Sequence, residues 1–242
     1  ITLQQARDNK LQIDWSQSEF YKPRKQGIFS VSNFDLGKIA PYIDWTFFFH
    51  AWKLGGKYPA IFSDPVKGEE ARKLFDDAQA LLNRIINEKM LTANATWFVL
   101  PARAVSDSVE VLADESRQQV LATFHFLRNQ EKKEQGIPNL SLADFVAPTE
   151  TGLPDYLGGF AVTAGHGIER WVAAFEASHD DYSAIMLKIL ADRLAEAFAE
   201  LLHHSVRTHY WGYAPSENLT VEQMLKETYQ GIRPAPGYPA CP

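Results

Sequence analysis

At 242 residues, with 45% apolar and 12% aromatic side chains, the chain can bury a sizeable single core and is too apolar to be mainly disordered. Its formal net charge of −6 gives no electrostatic support to nucleic-acid binding. A single cysteine, Cys241, excludes an internal disulfide and a cysteine-built zinc site. No signal-like leader or long apolar run is present, which points to a cytoplasmic protein without a membrane span.

Residues 1–25 mix polar and aromatic positions without a sustained period and read as a lead-in segment wrapping onto the domain. From Ile43 to Trp52 the chain is dense in aromatics, as core segments are, and Asp44 is the one acid within that run. Gly55-Gly56 closes it. Between Gly68 and Lys89, Ala71, Leu74, Phe75, Ala78, Leu81, Leu82, Ile85 and Ile86 recur at helical spacing and predict an amphipathic helix. Trp97 to Leu100 reads as a buried strand ending at Pro101. Ser108–Leu112 and the alternating Val120, Ala122, Phe124 and Phe126 predict a hairpin turning at Asp114-Glu115-Ser116. Residues 128–139 are polar and read as an exposed loop.

Phe160 to Thr163 is a short apolar strand flanked by glycines, and those glycines lack the spacing of a phosphate loop. A helix over about 168–177 precedes the longest one, over about 182–208. Leu187, Leu190, Ala191, Leu194, Phe198, Leu201 and Leu202 form the buried stripe of that long helix, while Asp192, Glu196, Glu200 and His203 share another face. Thr220 to Gln223 is a capping box that opens a short helix running to Tyr229, with Gly231 suited to the position just past its end. Strands and helices in separate runs predict an α+β fold with a largely antiparallel sheet and flanking helices. No histidine arrangement has zinc-helix spacing, and no catalytic triad is visible.

The last stretch, Gly231 to Pro242, carries four prolines. They fix φ and remove backbone donors, so a stiff, extended strap is predicted, exposing Arg233, Tyr238 and the backbone of Ala235 and Gly237. A proline-rich tail is the plain alternative. Arg and Tyr without Ser, Glu or Lys favour a binding strap.

Residues 229–242 resemble the signature of the AdoMet-binding activation domain of cobalamin-dependent methionine synthases. Further segments agree in order: Tyr42-Ile43-Asp44-Trp45-Thr46, Leu142-Ala143-Asp144-Phe145-Val146-Ala147-Pro148, residues 191–200, and Tyr210-Trp211-Gly212-Tyr213-Ala214-Pro215. The chain departs from the family after Pro101-Ala102, where Arg103 to Ser108 stand in place of its usual Asn and Gly-Asp-Asp. The resemblance implies a single helmet- or C-shaped α+β domain over residues 1–242, whose family counterpart continues with a tail after Pro242. It implies a module that binds S-adenosylmethionine for the reductive methylation of cob(II)alamin, within methionine biosynthesis. The cobalamin is carried by another domain of the same enzyme, and any zinc lies elsewhere in the full protein. The implied partners are that cobalamin domain and flavodoxin or an equivalent reductase, with neither nucleic acid nor membrane.

AdoMet presents a carboxylate, an ammonium and a sulfonium. Arg233 suits the carboxylate and Asp44 the ammonium, and Glu196 or Glu227 could counter the sulfonium. By resemblance, Asp44 and Arg233 match family ligand contacts, and Ala235, Gly237 and Tyr238 match positions lining the site. Each also has a structural reading: Asp44 as a helix cap, Glu196 on a solvated acidic face, Glu227 paired with a lysine, and Arg233 in a structural salt bridge. An activated sulfonium methyl needs no catalytic acid or base, so no catalytic residue is expected, and this chain alone is expected to be inactive. The competing reading is a non-catalytic docking module for a redox partner or cobalamin carrier.

Overall fold

The sheet hangs on one long strand, β2 (Thr92–Val105), in a computed structural model that describes residues 1–242. One edge of β2 pairs along most of its length with β5 (Asp155–His166). The other edge is shared: β1 (Gly27–Phe34) takes residues 93–99 and β3 (Ser108–Leu112) takes 102–105. β4 (Val120–His125) completes the sheet on β3, and every pairing is antiparallel. Burial along β2 changes face midway. Ala93, Ala95, Trp97 and Val99 point into the helical core, whereas Ala102 and Ala104 point into a second small core with Val109, Ala143 and Val146. A strand that buries opposite faces in its two halves belongs to a sheet that curls, here into a half-barrel.

β2 runs through Pro101, where the sequence predicted its end. The N–H of Ala104 points to the edge away from β3, to the Ala147 carbonyl at 2.9 Å. By alternation, an N–H at position 101 would face the β1/β3 edge, where pairing passes from Val99 to Ala102. The missing donor therefore falls between two neighbours. β5 is likewise far longer than Phe160 to Thr163, because Gly158 and Gly159 lie inside it rather than beside it. A Cβ on Gly159 would sit 2.4 Å from the Phe98 ring, so only glycine lets that ring lie over β5. β1 was not predicted at all. The hairpin β3–β4 forms as predicted, but the alternation in β4 buries no face. Phe124 stacks on Phe98 at 6.1 Å and stays largely exposed.

Helices cover the inner face. α4 (Gly68–Asn87) and α6 (Asp181–Ser205) sit where the apolar periodicities place them, with Ala78, Leu82 and Ile85 on one and Leu187, Leu190, Leu194 and Phe198 on the other fully or almost fully buried. Phe198 stacks on Phe34 at 4.8 Å, and truncating such a side chain to Ala costs about 3–5 kcal/mol. α5 (Ile168–Ala177) packs beside α6. The aromatic run forms α3 (Trp45–Ala51), preceded by the single turn α2 (Leu36–Ile39). The N-terminal α1 (Leu3–Asp8) is tied to the loop after β4 through Ile1, which donates to the Gln130 carbonyl, and through Asn9, which donates to Ile137 and Asn139. The segment where the sequence departs from the resembling family is the tight β2–β3 turn, whose Asp107 is held by Arg7 and buried Arg128. No helix is long and apolar enough to cross a membrane.

Candidate functional site at the root of the C-terminal strap

α6 does not stop cleanly. Its last turn widens into a π-helical turn, Val206–Tyr210, which carries Arg207 to a place with no solvent exposure. A buried guanidinium needs partners for its whole fork. Arg207 donates to both carboxylate oxygens of Glu217, at 2.6 and 2.9 Å, and through Nη1 to His203 Nδ1 at 2.7 Å. Its flat face lies 4.0 Å from the centre of the Tyr229 ring, against which His203 packs edge-on. Burial, reinforced by Arg207, pushes the His203 pKa down to about 3, so the ring is neutral and its Nδ1 accepts. The Arg207 hydrogen bonds hold the Glu217 carboxyl below its usual range.

Tyr229 is the first residue of the strap's root. α7 (Val221–Leu225) ends four residues before the predicted Tyr229, with its capping box in place. Glu227, rather than Gly231, takes the left-handed position past the helix, at φ 54°. The Glu227 N–H bonds Met224 O at 2.9 Å and the Thr228 N–H bonds Gln223 O at 3.2 Å, the paired pattern of a Schellman cap. A glutamate there carries strain that glycine would not. Gly231 answers a different constraint. At φ 95° it passes the Tyr213 hydroxyl so closely that a Cβ would lie 2.6 Å away.

Beyond Gly231 the strap is not uniformly extended. Residues 235–241 close into tight turns, with Gly237 N–H to Cys241 O at 2.8 Å and Cys241 N–H to Tyr238 O at 2.9 Å. The reason is local: Gly237 adopts φ 95°, which breaks the extended run the prolines impose. Ala235, Gly237 and Tyr238 are exposed, whereas Arg233 is half-buried and ion-paired with Glu200 of α6. The predicted exposure of Arg233 is thus corrected, because its guanidinium has found a carboxylate on the helix beneath.

The charges of Glu196, Glu227, Arg207 and Arg233 are all felt at Glu200, whose carboxyl is raised by burial, lowered by the two arginines and raised again by the two glutamates. The fold therefore gathers Arg233, Glu196 and Glu227 around Glu200. Glu200 is paired with Arg233 and Glu217 with Arg207, whereas Glu196 and Glu227 have no ion-pair partner. Asp44 makes no hydrogen bond or ion pair with this group or with the strap. It is the N-cap of α3, accepting from Thr46 N–H at 2.8 Å. Glu200, Arg207, Glu217 and His203 were not singled out from sequence. Only the shared polar face of Asp192, Glu196, Glu200 and His203 hinted at two of them, Glu200 and His203.

Residues 35–242 match the family described as "Vitamin B12 dependent methionine synthase, activation domain". The chain belongs to that family. The whole chain also aligns with 74% of a crystal structure described as the MetH reactivation domain bound to AdoHcy, at 50% sequence identity and a TM-score of 0.94. The match covers 100% of the present chain, so the helmet of sheet and helices and the strap both fall within it. As an activation domain of vitamin B12-dependent methionine synthase, this is part of a methyltransferase.

Proposed function

We propose that this activation domain binds S-adenosylmethionine at the root of the strap and presents its methyl group for the reductive methylation of cob(II)alamin. The cobalamin is carried by a neighbouring domain, and the electrons come from flavodoxin or an equivalent reductase. The observation that carries this reading is AdoHcy, the demethylated form of AdoMet, held by the 50%-identical relative. The donor set here fits such a ligand. Arg233 retains a buried Nε–H without a partner, which suits a carboxylate. Glu196 and Glu227, which have no ion-pair partner while Glu200 is taken by Arg233, suit a sulfonium and an ammonium.

Within this reading Asp44 takes the ammonium with the carboxylate oxygen that Thr46 leaves free. Ala235, Gly237 and Tyr238 supply backbone and ring along the exposed strap. Cobalamin supplies the nucleophile, so the residues of this chain act by holding and orienting the ligand rather than by moving protons. Calorimetric titration tests the assignment. Arg233→Ala should weaken AdoMet by about 10- to 150-fold, the worth of a charge-assisted hydrogen bond of about 1.5–3 kcal/mol, without loss of cooperative unfolding. Unchanged affinity in that variant would remove Arg233 from the site, and no AdoMet binding by the unaltered chain would sink the reading itself.

A further inference from the structure

We propose that Glu200 is a positioning residue for the ligand carboxylate: it pins the Arg233 guanidinium to α6 and leaves its remaining N–H groups free for AdoMet. This rests on the assignment of Arg233 to AdoMet made above.

The strap needs such a pin. Every backbone hydrogen bond from 232 to 242 closes within the strap itself, and Ile232, Ala235, Pro236 and Gly237 are exposed. The Arg233–Glu200 ion pair is the one side-chain hydrogen bond that ties residues 231–242 to the body of the domain. Glu200 is well placed to serve, since it projects from a 25-residue helix whose neighbouring Ala199 and Leu202 are buried. Arginine has large rotamer freedom, and a ligand that must freeze it loses affinity, whereas a guanidinium already held loses less.

The pair is also incomplete. Nη2 of Arg233 meets Oε1 of Glu200, and the Tyr229 hydroxyl also lies close to the guanidinium, but the buried Nε of Arg233 and Oε2 of Glu200 have no partner. A structural ion pair that merely closed the domain would satisfy both. An arginine oriented by one carboxylate while keeping donors for a second accounts for the surplus N–H. Burial raises the Glu200 carboxyl even though Arg233 and Arg207 oppose the rise, so the ion pair is what keeps the charge beneath the strap matched.

The experiment compares AdoMet with decarboxylated AdoMet, which lacks only the carboxylate, by calorimetry on the chain, Glu200→Gln, Arg233→Ala and the double variant. Glutamine keeps the size of the side chain and removes its charge. The preference for AdoMet should shrink about two- to tenfold in Glu200→Gln, the cost of ordering one rotamer-rich side chain. Binding of the decarboxylated ligand should stay unchanged, and the double variant should match Arg233→Ala. A preference that is unchanged in Glu200→Gln would overturn the proposal. One that grows would overturn it too, showing Glu200 to be a competitor of the ligand. If the unaltered chain shows no preference, the Arg233 assignment fails instead. The side-chain Nε–H resonance of Arg233 still decides for Glu200 in that case. A distinct resonance that collapses to the solvent-averaged position in Glu200→Gln supports the pin, and the same resonance in both proteins refutes it.

Discussion

Removing Arg207 should unlock both the end of α6 and the root of the strap. The substitution is Arg207→Met, which keeps an unbranched side chain in the cavity and deletes the charge. It leaves Glu217, whose side chain is 6% exposed, as a buried carboxylate without its partner, and strips His203 Nδ1 of its donor. Breaking a buried pair from one side costs about 3–5 kcal/mol, a large share of a typical total of about 5–15 kcal/mol. For a domain of this size that lowers Tm by roughly 6–20 °C. Urea unfolding at constant m-value measures it directly. Removing both charges in Arg207→Met/Glu217→Leu should recover most of the loss, because no isolated charge then remains buried. A loss below about 1 kcal/mol in the single variant, or a double variant no better than it, would refute the view that this pair anchors the site.

Asp44→Asn should leave stability nearly unchanged, since asparagine caps as well as aspartate, yet weaken AdoMet more than an analogue lacking the amino group. Equal losses for the two ligands would make Asp44 a cap only. Glu227→Gly should raise stability by about 1 kcal/mol in urea titrations by relieving the left-handed backbone at φ 54°, and a destabilised variant would argue against strain there. His203 has a folded pKa of about 3 against an ordinary 6.5, so the folded state binds fewer protons in that window. Its contribution is intact above pH 6.5 and is lost as the pH falls toward 3. His203→Gln should flatten that decline, and parallel stability–pH curves for both proteins would contradict the assignment.

The helices were legible because their apolar residues recur at the helical period on one face only, as in Leu74, Ala78, Leu82 and Ile85. The sheet was less so, and each error has a physical source. β1 alternates imperfectly: Phe29 and Val31 pack on the core while Ile28 on the opposite face is 70% exposed, so the pattern never shows a clean apolar side. Pro101 reads as a stop unless one knows that the edge it faces is changing neighbours. Gly158 and Gly159 read as flanks unless one knows that a ring from β2 lies over them. All three depend on the partner strand, which a single strand's sequence does not contain.

The same distinction runs through the site. Arg233 was visible because proline-rich surroundings make a lone arginine conspicuous. Glu200 was not, because on the helix it is one more carboxylate in a row with Asp192 and Glu196, and its partner lies 33 residues away. What separates it from them is burial: Asp192 and Glu196 are exposed, Glu200 is 12% exposed and His203 is buried. The polar face of α6 thus sinks beneath the strap as it nears Arg207, and its charges grow more costly along the way. Each charge that goes under is met: Glu200 by Arg233, Glu217 by Arg207, and His203 by loss of its proton. Ordinary surface chemistry at one end of the helix becomes, two turns later, a partly satisfied polar network with an unused donor and an unused acceptor, and that is where a zwitterionic, sulfonium-bearing ligand has the most to gain.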